Sequence, residues 1–319
     1  MCNHHIFACL STTAITVAAL IAPTQALAHC YVGSRFLPAT LTSEDPCVAD
    51  ELSLPTVSSF RHPANGDNPV VRETTIAVDF AKRITPDLGV SIGRDYLIQK
   101  PDGMPTIGGW DNLKLGLKYQ LYTNPAHEFI FSLGLDADVG GTGARRVGAD
   151  SFSTLTPTMY FGKGFGDLPD SVAMLRPFAV TGSVGYGIPS RSSTLLDPDT
   201  GDRAWNPHTL RTSFSIQYSL PYLQQNVGDT GLGAIANHLI PLVEVSLVTP
   251  LDRGQNGLTV GTINPGFLWT DKYYQLGFEL LIPVNSRTGN NVGFLAQLHF
   301  YLDDIAPNTL GRPLFEARR

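Results

Sequence analysis

Residues 113–121 constrain this chain most: Leu113, Leu115, Leu117, Tyr119 and Leu121 alternate with Lys114, Gly116, Lys118 and Gln120. A period of two sends the two sets to opposite faces of a strand, one wholly apolar and the other polar and charged. The same alternation recurs along the chain. In 75–83, Ile76, Val78 and Phe80 oppose Thr75, Ala77, Asp79 and Arg83, and in 88–95, Leu88, Val90 and Ile92 oppose Gly89, Ser91, Gly93 and Asp95. In 129–138, Phe129, Phe131, Leu133 and Leu135 oppose Ser132, Gly134, Asp136 and Asp138. Further strands are read at 155–165, 175–186, 210–219 (Arg211 and Gln217 on the polar phase), 243–247 around Glu244, 258–269, 274–284 (Glu279) and 292–302 (Gln297, His299).

Two architectures carry such a pattern: a soluble β-sandwich and a closed barrel in a membrane. Charged residues make up 16% of the chain, while 31 Gly and 23 Pro supply frequent turns, so many short strands are expected and long helices are not. Beyond the first residues no apolar run is long enough for a membrane helix, and only helices and closed barrels satisfy every backbone group in lipid. Connections near Pro86, Asn124 and Asp271 are short, whereas 100–109, 140–153 and 189–208 are long, matching the short periplasmic turns and longer outer loops of bacterial barrels. The connection 223–238 breaks this rule and is read as holding a short helix. About eleven strands are evident, and such barrels use even numbers. A twelfth is placed at 52–60, with 61–72 as its loop, despite Pro55. Aromatics near strand ends, among them Phe80, Tyr96, Trp110, Tyr122, Phe129, Phe161, Tyr218, Trp269, Tyr274 and Phe300, suit the two membrane interfaces. The expectation is all-β: an antiparallel transmembrane barrel of about 12 strands.

Export fits the beginning of the chain. An apolar run over 6–22 is followed by Gln25-Ala26-Leu27-Ala28, a cleavage pattern of the A-x-A kind, although the leader has His4 and His5 and no Lys or Arg. Cleavage after Ala28 leaves Cys30 and Cys47 as an even pair, expected to be disulfide-bonded in an oxidising compartment. The competing reading is a lipoprotein acylated on Cys30. The resulting organisation is a signal peptide at 1–28, a periplasmic segment at 29–51, the barrel at 52–302 and a periplasmic tail at 303–319. Both termini are then periplasmic, in the outer membrane of a Gram-negative cell.

Catalytic motifs find the wrong context. Gly89-Val90-Ser91-Ile92-Gly93 spells a nucleophile elbow but lies inside an alternating strand rather than on a strand-to-helix turn. Gly231-Leu232-Gly233-Ala234-Ile235-Ala236 resembles a dinucleotide fingerprint without its βαβ unit. Asp197, Asp199 and Asp202 flank a Gly turn and could hold Ca²⁺, though a solvated turn is the plainer reading. A net charge of −6 without a basic stripe gives no ground for nucleic-acid binding. The informative set is the polar phase itself: Asp79, Arg83, Asp95, Lys114, Lys118, Asp136, Asp138, Arg211, Gln217, Glu244, Glu279, Gln297 and His299. In a closed barrel these line the lumen, because a mid-strand Lys or Arg facing lipid costs roughly 2–4 kcal/mol.

The stretches 33–40 and 45–56 and the ending Leu298-His299-Phe300-Tyr301-Leu302-Asp303-Asp304 with Gly311-Arg312-Pro313-Leu314-Phe315 resemble proteobacterial outer-membrane barrels associated with the phenol meta-degradation pathway. That resemblance marks fold and not substrate, and transfers no functional residue. The last strand, Asn291-x-Gly293-x-x-Ala296-x-Leu298-x-Phe300, is also similar to the signal read by the barrel assembly machinery, except that the chain continues past the aromatic. The functional expectation is a non-enzymatic, cofactor-free, metal-free passive channel or uptake porin for small solutes, aromatic or hydrophobic ones included. Its partners are outer-membrane lipid, the solute and the assembly machinery. The alternatives are a structural or adhesion barrel with a blocked lumen, and a hydrolase in which Glu279 or Asp136 orients His299 as base.

Overall fold

The computed structural model describes residues 30–64, 66, 69–196, 199–229 and 231–315. The leader, Asp197 of the loop motif and the end of the tail lie outside the described residues. The alternating segments form β1 (Glu51–His62), β2 (Val71–Arg83), β3 (Leu88–Pro101), β4 (Leu113–Asn124), β5 (Phe129–Val139), β6 (Thr154–Gly164), β7 (Phe178–Pro189), β8 (Thr209–Tyr218), β9 (Leu239–Pro250), β10 (Val260–Thr270), β11 (Tyr274–Pro283) and β12 (Gly293–Tyr301). Each pairs antiparallel with its neighbours in sequence, and β12 pairs with β1, so Phe300 faces Leu52 and Gln297 faces Thr56 across the seam. The result is a closed barrel of 12 strands, with no edge left to pair outward. The twelfth strand inferred from parity is β1. Pro55 is accommodated by a register shift between Ser53 and Thr56 against β2, as expected for a proline that cannot donate to the ladder.

The polarity is that of a membrane barrel and the reverse of a soluble core. Leu115, Leu117, Tyr119 and Leu121 on β4 are 41–52% exposed, while Ser215, Gln217, Glu244, Gln275 and Glu279 are at most 2% exposed. A sandwich would bury the first set and expose the second. Outward aromatics sit at strand ends as pairs, Tyr96 with Trp110 at 5.2 Å and Phe178 with Tyr218 at 4.7 Å between ring centroids. At one end, the turn end, β2–β3, β4–β5 and β10–β11 are joined tightly. Two longer connections lie there, 165–177 and 219–238; the longer contains α1 (Leu220–Asn226), capped by Ser219 Oγ accepting from the Tyr222 N–H. The opposite, loop end carries a small hairpin, Ser193–Leu195 with Arg203–Trp205.

Residues 30–50 were expected to lie outside the barrel, in the periplasm. The structure packs them inside it. They open with a hairpin, Tyr31–Val32 against Arg35–Phe36, turned at Gly33, whose φ is +65° and where a Cβ would come within 2.4 Å of the Pro125 carbonyl oxygen. The chain then climbs to a tip at Thr42–Asp45 and returns to the foot of β1. The described part of the tail, to Phe315, docks at the turn end: Lys82 Nζ donates to the carbonyls of Leu310 and Arg312 at 2.8 and 2.5 Å, and the Phe315 N–H donates to the Ile84 carbonyl at 2.8 Å.

Candidate functional site

The lumen is the candidate site, and the inward segment, the plug, divides it. Its apolar side packs on inward-facing residues of the wall: Cys30, Val32, Leu37 and Cys47 cluster with Ile130 and Ala179, and Phe36 and Leu41 pack against Ile240, Leu242 and Leu268. Inward glycines make room for it. A Cβ at Gly162 would meet Leu37 and Pro46, and one at Gly277 would meet Leu41. The expected disulfide is formed, Cys30 to Cys47, with Cα atoms 5.5 Å apart, and it ties the start of the plug to its return limb.

Polar anchors hold the plug at both ends. At the turn end, Arg35 is fully buried, donates from Nε to Glu128 at 3.1 Å and from Nη1 to the Pro177 carbonyl at 3.0 Å, and lies 3.6 Å over the Tyr222 ring. Burial pulls its pKa below the ordinary value, with the Glu128 carboxylate acting in the other direction. At the tip, Glu244 accepts from the Thr42 N–H at 2.6 Å and from Thr42 Oγ1 at 2.5 Å, Ser43 Oγ meets Ser213 Oγ at 2.9 Å, and Lys118 donates to the Asp45 carbonyl at 2.8 Å.

The polar-phase residues fall into groups. Asp79, Lys114, Asp136, Asp138 and Arg211 line a cavity of about 330 Å³ on the loop side of the tip. Asp95 is bonded to Lys114 at 2.7 Å, and Arg211 lies 3.7 Å from Asp138. Gln297 and His299 line a second cavity of about 380 Å³ that runs beside the plug toward the turn end and includes Lys118. Both cavities touch Thr42, Glu44, Asp79, Ser91, Lys114 and Asp136, so they meet around the Glu44 side chain. Gln217, Glu244 and Glu279 are buried in the wall near the plug. Arg83 sits at the turn end, where it donates to Asp50 and the Gly311 carbonyl, both at 2.8 Å, and fixes the tail instead of lining a passage.

His299 does not meet the expected orienting groups, Glu279 or Asp136. Its Nδ1 lies 2.9 Å from Ser53 Oγ and its Nε2 3.7 Å from Glu51. The motif at 89–93 lies in the first half of β3, and 231–236 falls in the long connection between β8 and β9, where Gly233–Asn237 form a 3-10 helix. Of the loop acids described, Asp199 and Asp202 are exposed.

The plug anchors Arg35, Glu128, Thr42 and Ser132, whose Oγ donates to the Pro46 carbonyl, were not among the sequence candidates. One signal for them exists. Ile130, Ile240, Leu242 and Leu268 interrupt the polar phase with apolar residues, and a lumen wall has reason to carry those only where something packs on it.

No family model matches the chain, and no curated protein does. Among solved structures, an outer membrane channel from Pseudomonas putida F1 is similar with a TM-score of 0.53 and 13% identity, over 83% of this chain and 99% of that one. The fold is that of an outer-membrane β-barrel. The KdgM porin (TM-score 0.44, 10% identity, 78% of this chain and 98% of that one) and the NanC porin (0.43, 10%, 77% and 98%) are further matches. At these identities the likeness concerns the barrel and carries no residue of the lumen with it.

Proposed function

We propose that the chain is an outer-membrane channel for the diffusion of small solutes, and that the plug sets how far it opens. The observation that carries this reading is the pair of polar cavities meeting around the plug tip. A wall of Ser, Thr and Gly with charges of both signs wets a passage and favours neither ion strongly. The reading includes export by a signal peptide, termini on the periplasmic side and assembly into lipid by the barrel machinery. Aromatic compounds are the solute class in view, on the resemblance to barrels associated with phenol degradation.

Planar-bilayer conductance of the native protein and of a variant lacking residues 30–48 tests it. A low conductance that rises several-fold on deletion is expected. Negligible conductance in both, with the folded barrel verified by heat-modifiable gel mobility, overturns the channel. The apolar packing of the plug favours the second reading, a blocked structural barrel, which that outcome would support. Ester hydrolysis abolished by His299→Ala or Ser53→Ala would make the protein an enzyme.

A further inference from the structure

Nearly every inward charge has a partner of opposite sign or several donors: Lys114 has Asp95, Arg211 has Asp138, Arg35 has Glu128, and Asp136 accepts from Thr158 and Tyr160. Glu279 has neither, and Glu244 takes all its donors on one oxygen, leaving Oε1 without any. Both are fully buried, and among the described residues neither has a basic partner. Asn264 pairs with Glu244 across β9 and β10, and is also fully buried.

The side chains converge. Glu279 is paired with Gly266, and its Cγ occupies the space that a Cβ there would need, at 2.6 Å. Gly266 and Asn264 are two residues apart on the same face of β10, so Glu279, leaning over Gly266, comes beside the Glu244–Asn264 pair. Four oxygens in this cluster are buried without a formed hydrogen bond: Glu244 Oε1, Asn264 Oδ1, and both Glu279 oxygens. The amide orientation is fixed by its neighbours. Thr42 Oγ1 gives its proton to Glu244, so it can only accept from Asn264 Nδ2, at 3.0 Å, and that leaves Oδ1 turned into the cluster.

We propose that Glu244, Asn264 and Glu279 form a site for one hard divalent cation, Ca²⁺ or Mg²⁺, which fastens the plug to the barrel wall. Two carboxylates and an amide oxygen are the donor set such ions take. A proton shared between the two carboxyl groups would satisfy two of the four oxygens. A cation can serve all four and also neutralises the pair. The link to the plug is direct, because the other Glu244 oxygen accepts from Thr42 and, at 3.3 Å, from the Ser43 N–H. A bound cation holds that carboxylate ionised and in place.

The test uses the folded protein in detergent, stripped with chelator. Equilibrium dialysis against Ca²⁺, and separately Mg²⁺, should find about one ion per chain, with affinity at least tenfold weaker in Glu279→Gln. That variant keeps the shape of the site and leaves Glu244 to hold Thr42. Asp199→Asn with Asp202→Asn, in the exposed loop, should bind as the native protein does. Hydrogen exchange at the Thr42 and Ser43 amides should slow at least tenfold on adding the ion to native protein, and not in Glu279→Gln. Folded native protein that binds no ion at millimolar concentration, or an ion retained in full by Glu279→Gln, overturns the site. Exchange unaffected by a bound ion overturns the fastening. Neither readout involves conductance, so failure here is distinct from failure of the channel reading.

Discussion

Arg35 and Asp303 show how single buried charges organise the turn end. Replacing Arg35 by Ala leaves Glu128 buried with only the neutral donors Ser34, Tyr222 and the Gly166 N–H. Breaking a buried pair in this way costs about 3 kcal/mol, and the loss should appear as faster proteolysis of the plug in an otherwise intact barrel. The double variant Arg35→Ala, Glu128→Ala should recover part of it, and strict additivity of the two single losses would show that the pair is uncoupled. Asp303 follows β12 at the same end and is 3% exposed. Burial first, then the nearby Glu51 carboxylate, pushes its pKa up to about 8. The folded state therefore favours the neutral acid. Its contribution to stability is complete below the ordinary carboxylate range and is lost as the pH rises through about 8. The native barrel should lose heat-modifiable mobility at a lower temperature at pH ~9 than at pH ~6, and Asp303→Asn should remove most of that difference. None of these roles was legible in the sequence. Arg35 lies in a stretch without periodicity, and Arg83 was assigned to the lumen because phase alone does not reveal that a strand has reached its end.

The strands were legible because lipid on one side and polar lumen on the other impose a period of two on every strand. The plug was not, because residues 30–50 obey neither period and pack by irregular fit against five or more strands. The cysteine pair was the one part of it that sequence reached. Its geometry closes a loop within the plug, Cys30 to Cys47 at a separation of 17 residues, and a crosslink of that span restrains the free segment by about 3 kcal/mol. Cys30→Ser with Cys47→Ser should thus leave the barrel folded while exposing the plug to protease and raising conductance. Thiol labelling of native protein only after reductant would verify the bond. Conductance unchanged in the double variant would mean that the wall contacts of Leu37, Leu41 and Thr42 hold the plug without it. The long turn-end connection read at 223–238 runs from 219 to 238 and has a physical reason: α1 near its start sets the Tyr222 ring against the Arg35 guanidinium, so this segment serves the plug.

At the scale of the whole molecule, closure converts a weak local pattern into a strong constraint: twelve strands of alternating residues leave the polar phase nowhere to go but the lumen. That is why parity and periodicity reached the fold, while the solute, which depends on how plug and loops fill the passage, stayed out of reach. The same constraint allows a prediction about ion flow. Around the plug tip the acids Glu44, Asp79, Asp136 and Asp138 face the bases Lys114, Lys118 and Arg211. Lys114 is held by Asp95, and Lys118 by the Asp45 carbonyl with Glu44 3.7 Å away. Exchanging both lysines for glutamate makes the passage strongly acidic and replaces the attraction between Lys118 and the tip with repulsion from Glu44. Cation preference, read from reversal potentials across a salt gradient, should therefore rise several-fold, and mean conductance should rise with it as the tip loosens. Lys118→Gln alone should loosen the tip while shifting selectivity less. The selectivity shift should shrink toward 1 M salt, where the screening length falls to about 3 Å. A folded double variant with unchanged selectivity at low salt would place these lysines off the conducting path, and the passage would then have to be sought elsewhere in the barrel.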